Sequence, residues 1–557
     1  MDVRKSIVVP AIAAAISALA AVGVVAAWSS SREAEGAALR QGQIALSQIS
    51  ESPTQIRFQC QDRVQGGATP GRGRGAAFLD YNLDGRMDVV YGNMDEPAML
   101  LENLGDGSFK EVRLVGLDTE KTYGIAVGDY NLDGYPDIYL GRGGKQHDAA
   151  GLSSDPYFCS LTPWLETELS PIEEGSLPNV LLENRGGTFV DVTEQAGVGD
   201  AEQAWAVRFI DYDLDGRLDI YVANYGAQNV LYRNDGDGAF TDMTEWAGVE
   251  GPLYSMDAVW ADYDDDGYPD LFVTGVSQQD TSSIYRNNGD GTFTDMSSLD
   301  GIDPLHGGIA AAFADLDSDG VMDLYVAVWN DTLDGETRDV LGQDWWPGSS
   351  NRVYFNEGDG TFRRVERTGA EYLGGSHSVT TGDFNNDGFL DLYISTGGPE
   401  FLLEDKLYQN NGDGTFSDVT IVAGILEIAR GHGVVTGDYD GDGRLDIYVS
   451  SGGMNYVDMT ANVMCRNVGE VGNWLAVELD GESRAVQGAR VTVVAEGTTQ
   501  TRQIGGGAGF GSVNSPIAHF GLGGRSRIEL VTVRWPDGFV QELAGPPVNA
   551  TAVIRRR

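Results

Sequence analysis

Seven times along the chain a short acidic segment ends in glycine: DYNLDG at 80, DYNLDG at 129, DYDLDG at 211, DYDDDG at 262, DLDSDG at 315, DFNNDG at 383 and DYDGDG at 438. Successive copies begin 49, 82, 51, 53, 68 and 55 residues apart. A period near 50 residues marks a repeat architecture and narrows the fold more than any composition does. One full unit reads AWAVRFIDYDLDGRLDIYVANYGAQNVLYRNDGDGAFTDMTEWAGV (204–249) and parses into four short β-runs. Its second turn recurs as LGDGSF at 104, NGDGTF at 288, EGDGTF at 357 and NGDGTF at 411, with a shorter RGGTF at 185. Glycine supplies the positive φ angles that such tight hairpins need.

Four-stranded units at this spacing predict a β-propeller, and seven loops predict seven blades over residues 55–470. The two long intervals hold insertions, about 142–178 and 330–350, each between the second and third strand of its blade. The seventh unit supplies three strands but no F-x-D-V-T strand, whereas QIRFQCQD (55–62) stands orphaned before the first loop. Aligning Phe58 with Phe240 and Asn467 with Asn234 puts Cys60 where Asp242 stands and Cys465 where Tyr232 stands. Those positions face each other across a hairpin. A Cys60–Cys465 disulfide closing the ring is therefore expected, with Cys159 left unpaired.

The loops themselves read as calcium sites. Positions 1, 3, 5 and 9 hold Asp80, Asn82, Asp84 and Asp88 in the first loop, and Asp129, Asn131, Asp133 and Asp137 in the second. They hold Asp211, Asp213, Asp215 and Asp219 in the third, and Asp262, Asp264, Asp266 and Asp270 in the fourth. The fifth has Asp315, Asp317, Asp319 and Asp323; the sixth has Asp383, Asn385, Asp387 and Asp391. The seventh has Asp438, Asp440, Asp442 and Asp446. Calcium takes six to eight oxygen ligands, and alternate side chains of a curled loop can all face inward. An EF-hand would need Glu at position 12 and flanking helices. Here position 12 is Tyr91, Leu140, Val222, Val273, Val326, Ile394 and Val449, each within a β-type run, so EF-hands are excluded. About seven Ca2+ sites are expected.

Asp and Glu outnumber Lys and Arg 84 to 37, a formal charge of −47 spread through the repeats. A polyanion of this size repels nucleic acid and anionic lipid, so neither is expected as a partner. The N-terminus places Arg4 and Lys5 before an uncharged run from Ile7 to Trp28. Residues 1–31 read as a helical signal peptide or signal anchor, followed by a polar linker over 32–54. Either reading sends the remainder out of the cytoplasm, with membrane contact only through this segment if it stays uncleaved.

The D-x-D/N-x-D-G-x-x-D loop between blade strands resembles the calcium loop of FG-GAP/VCBS repeat propellers, integrin α-subunits among them. LYRNDGDGAFTDMTEWAGV, IYRNNGDGTFTDM, VYFNEGDGTF and LYQNNGDGTFSDVT carry the same likeness. From about 471 the loops stop, and NWLAVELDG onward alternates as a small β-sandwich with Pro-Asp-Gly at a hairpin turn. GARV, GGGAGFGS, HFGLG and VRWPDG in this stretch resemble the ASPIC/UnbV domain. The combination is similar to the cartilage acidic protein family. That resemblance implies an extracellular calcium-binding protein without a defined enzymatic activity. His519 in HFGLG reads as structural rather than catalytic.

No G-x-S-x-G, H-E-x-x-H, P-loop or Rossmann fingerprint occurs. Six residues before each loop stand Arg74, Tyr123, Trp205, Met256, Ile309, His377 and His432, with His306 slightly upstream of Ile309. These positions converge on one end of the central channel, where the insertions bearing Trp164, Trp345 and Trp346 also join strands. Arg74, Tyr123, Trp205, His306, His377 and His432 thus form either a ligand face or packing at strand starts. The expected function is an exported calcium-binding propeller that binds or adheres to an extracellular protein or glycan. Two alternatives remain. One is an enzyme using the His/Arg/aromatic face on a polymer or carbohydrate, and the other is a purely structural surface protein.

Overall fold

The computed structural model describes residues 55–61, 73–94, 96–114, 119–143, 177–276, 281–298, 301–302, 305–329, 350–396, 404–425, 431–452, 461–481, 485–505 and 508–556. The N-terminal apolar run, the linker, Cys159, Trp164, Trp345 and Trp346 lie outside these residues. Among the described residues no helix is long and apolar enough to cross a membrane.

Seven four-stranded antiparallel sheets follow one another around a ring. The third blade is typical: Ala204–Ile210, Asp219–Asn224, Val230–Asn234 and Phe240–Asp242 pair in sequence order, innermost strand first. Its first two strands are buried at every residue, because neighbouring blades cover both faces. The outermost strand turns polar residues to solvent, and Arg233 of the third strand is partly exposed as well.

A repeated asparagine staples the blades together. At the end of each third strand, Asn103, Asn184, Asn234, Asn287, Asn356, Asn410 and Asn467 donate from Nδ2 to a carbonyl in the preceding blade. The acceptor is always the residue after a loop's first Asp, and the distances are 2.7–2.9 Å. The series closes on itself, since Asn103 of the first blade reaches Tyr439 of the seventh. A buried amide that lost its acceptor would cost about 1–3 kcal/mol, so the register between blades is strongly specified.

The seventh blade takes its outer strand, Phe58–Gln61, from the start of the described chain. Phe58 pairs with Asn467 and Cys60 with Cys465, and the two cysteines form a disulfide across 405 residues.

The C-terminal module stacks two sheets. Asn473–Asp480 pairs with Ala518–Gly523 and, in parallel, with Ala550–Arg555. The other sheet runs Thr498–Gln503, Arg490–Ala495, Ile528–Arg534 and Val540–Ala544. Alternate residues such as Val491, Val493, Val531 and Val533 meet Leu475, Val477 and Phe520 in one core. The module is no appended neighbour, however. It sits on the acidic-loop face and sends residues 508–515 into the propeller's central channel.

Candidate metal centres and the plugged channel

Each loop is curled by two left-handed residues. The sixth-position glycines have φ of 82–109°, and position 4 has φ of 56–72° even where it is Leu83, Leu132 or Leu214. Leucine pays a steric cost there, so the curl is imposed by the surroundings. The ninth-position Asp is anchored: Asp219 accepts the Asn234 amide on Oδ1 at 2.8 Å and the Tyr212 amide on Oδ2 at 3.2 Å. The same pair of bonds recurs for Asp88, Asp137, Asp270, Asp323, Asp391 and Asp446.

In four loops the carboxylates of positions 1, 3 and 9 converge to within 4.8 Å: Asp211–Asp213–Asp219, Asp262–Asp264–Asp270, Asp315–Asp317–Asp323 and Asp438–Asp440–Asp446. In the other three Asn82, Asn131 and Asn385 occupy position 3, where each amide oxygen accepts the backbone N–H of position 5. The fifth-position carboxylates Asp84, Asp133, Asp215, Asp266, Asp319, Asp387 and Asp442 stand outside the triads and cap their own turns by accepting the N–H two residues on. Asp84, Asp215 and Asp442 also pair with Arg86, Arg217 and Arg444.

The first-position residues divide the loops again. Asp80, Asp129, Asp383 and Asp438 use both oxygens on backbone N–H groups. Asp211, Asp262 and Asp315 each leave Oδ1 buried with no hydrogen-bond partner. A buried carboxylate oxygen without a donor is unfavourable unless a cation faces it. Burial, reinforced by the other loop carboxylates, pushes Asp211 up to about 7 and Asp323 up to about 8. Burial also holds Asp219 and Asp391 well above the ordinary carboxylate range. A divalent ion among these oxygens would restore the charged forms. The donor set of hard oxygens at three or four positions therefore fits Ca2+.

The expected ligand face is a packed layer around Phe510. Arg74, Tyr123, Trp205, Met256, Ile309, His377 and His432, one from each blade, are at most 8% exposed. Trp205 meets Phe510 edge-on at 5.6 Å, and Tyr123 lies 4.9 Å from Trp205 with the Arg74 guanidinium 5.6 Å from its ring. On the opposite side Trp329, His377 and His432 form a stack with spacings of 4.8 and 4.6 Å, and His432 lies 5.6 Å from Phe510. His377 Nδ1 is 3.0 Å from the Gly431 carbonyl. His306 is half-buried.

The inserted segment bonds to the innermost strands on every side. Gly509 N–H donates to the Val379 carbonyl, the Ile125 N–H to the Gly511 carbonyl, and the Val513 N–H to the Ala76 carbonyl. Asn514 Oδ1 accepts from the Thr436 amide, and Arg208 donates to the Ala508 carbonyl at 3.0 Å. A Cβ on Gly75 would lie 2.4 Å from the Gly511 oxygen, so the backbones touch there. Arg208 also pairs with Asp257 at 2.7 Å, and both are buried. Polar residues inside otherwise apolar inner strands, such as Arg208 and Asp257, are the sequence signal for this buried insertion. His519 lies 2.7 Å from Asn386 Oδ1 and serves the contact between module and loop. Two small crevices remain between the loops and the module, one of them lined by Asp315, Asp383, Arg502 and His519.

Residues 80–140, 173–222, 211–273, 262–326, 337–394 and 399–449 match the FG-GAP-like repeat, and residues 480–557 match ASPIC and UnbV. Cartilage acidic protein 1 of Homo sapiens is 24% identical over 508 residues, spanning 83% of this chain and 69% of the relative. The Mus musculus protein is 24% identical over 510 residues, spanning 83% and 70%. Similar solved structures include YCF48 bound to D1 peptide, at 9% identity and a TM-score of 0.40, covering 74% of this chain and 97% of that one. BBS1N in complex with ARL6DN gives 10% identity and a TM-score of 0.41, covering 74% and 98%. At these values neither structure says anything about a ligand of this chain.

Proposed function

Since the chain belongs to the FG-GAP repeat family and ends in an ASPIC and UnbV domain, we propose that it is an exported, calcium-stabilised propeller that binds an extracellular protein or glycan. The observation that carries the calcium reading is the buried, partnerless Oδ1 of Asp211, Asp262 and Asp315 inside carboxylate triads. Export is supported by the Cys60–Cys465 disulfide, a bond that persists in oxidising compartments, and by the N-terminal apolar run. The formal charge of −47 favours protein or glycan over nucleic acid.

Apart from His306, the residues on which an enzymatic reading rests are buried around Phe510 rather than facing open space, which weighs against turnover at that face. The test is binding of the calcium-loaded full chain to extracellular-matrix proteins and to a glycan array, with product analysis of each binder. Saturable binding without product supports the proposal. Product formation that disappears in both His377→Ala and His432→Ala would establish the enzymatic alternative instead.

A further inference from the structure

We propose that the acidic-loop face is a docking template for the C-terminal module, so that cation binding in the loops and docking of the module form one linked equilibrium. This rests on the calcium reading above and extends it to regulation. The side-chain contacts centre on a loop position outside the ligand set, although Arg534 also lies 3.7 Å from Asp262 Oδ2. Position 4 varies more than its neighbours: Leu83, Leu132, Leu214, Asp265, Ser318, Asn386 and Gly441. Its two residues with carboxylate or amide side chains both grip the module. Asp265 accepts from Arg490 at 2.6 Å and from Arg534 at 3.1 Å. Asn386 meets His519 at 2.7 Å, while its carbonyl accepts the Gly523 N–H at 2.6 Å.

Main-chain groups of the loops complete the template. Ala485 N–H donates to the Gly216 carbonyl and Gly472 N–H to the Asn385 carbonyl, each at 3.0 Å. These acceptors are in register only while the loop is curled. An empty fourth loop packs Asp262, Asp264, Asp265, Asp266 and Asp270 into one turn, and their repulsion opposes that curl. A cation at positions 1, 3 and 9 removes the repulsion and fixes Asp265 and the carbonyls where the module needs them. Because coupling is reciprocal, the docked module must in turn tighten cation binding. Residues 508–515 follow the module into the channel, so the packing around Phe510 responds to loop occupancy.

Hydrogen exchange on the full chain, with calcium and with chelator, tests the link alongside calcium titration of two variants. Chelation is expected to deprotect 485–503 and 508–523 before the innermost propeller strands. Arg490→Gln with Arg534→Gln and, separately, Asn386→Ala should keep the calcium stoichiometry but weaken binding by about fivefold or more. Removing two cations beside a carboxylate loop would tighten calcium by charge alone, so tighter or unchanged binding in the arginine variant overturns the link. Unchanged module protection on chelation of a protein shown to bind calcium also overturns it, and this measurement needs no variant. A wild-type protein that binds no calcium removes the calcium reading and the link together.

Discussion

The Arg208 guanidinium lies 2.7 Å from the Asp257 carboxylate in the wall of the channel, joining the third blade to the fourth with both groups buried. Asp257 also accepts the Ala311 N–H at 3.1 Å and Arg208 donates to the Ala508 carbonyl, so the pair connects blades and inserted segment at one point. Removing one member leaves the other charge buried alone. Asp257→Ala should destabilise the protein by about 3–5 kcal/mol in denaturant unfolding. The double variant Arg208→Met, Asp257→Ala should lose less than the sum of the two single losses.

Phe510 is 1% exposed and is the centre of the aromatic and histidine layer. Phe510→Ala should cost about 3–5 kcal/mol of stability, the range for emptying a buried phenylalanine site. Fluorescence of the buried Trp205 should shift to longer wavelength, because its edge-on partner is gone. Unaltered stability would mean that the channel packing contributes little.

The ring-closing disulfide joins residues 405 apart. Cross-linking so long a loop restricts the unfolded chain, and the entropy model assigns on the order of 5 kcal/mol. Cys60→Ser with Cys465→Ser should therefore lower the unfolding midpoint strongly while leaving the native far-UV spectrum intact. An equal midpoint would show that the Asn467–Phe384 bond and the inserted segment hold the ring closed without it.

Burial raises the loop carboxylates, taking Asp88 to about 7, Asp137 to about 8 and Asp438 to about 6. Their folded values exceed the ordinary value near 3.8, so the protonated forms favour the fold. That contribution is complete below about pH 4 and is lost as pH rises through 6 to 8. Metal-stripped protein should melt at lower temperature at pH 8 than at pH 5. Calcium should abolish most of that slope, because it stabilises the ionised carboxylates.

The propeller was legible because its determinants are local and repeated. The spacing of the loops, the glycine turns and the orphan strand at Phe58 give blade composition and register without any long-range information. The candidate site was legible in part. Alternate loop positions identified the triads, but the diversion of Asp215 to Arg217 and to its own turn depends on side-chain geometry that spacing does not encode. The sequence groups Arg74, Tyr123, Trp205, His306, His377 and His432 as either a ligand face or strand-start packing, yet what Trp205 and His432 pack against is residue 510, beyond the last repeat. A contact between modules leaves no periodic trace. Arg74, Arg208 and Asp257, charged within apolar strands, are the hint of it.

Thermal unfolding of the full chain with calcium and with excess chelator, combined with metal analysis of the purified protein, tests the central claim most directly. The account predicts that calcium raises the midpoint strongly and that several ions are bound per chain, with about seven as the upper figure and the triads of Asp211, Asp262, Asp315 and Asp438 filling first. Equal midpoints with and without chelator, in protein that carries no calcium, would contradict it and leave the acidic loops as solvated turns.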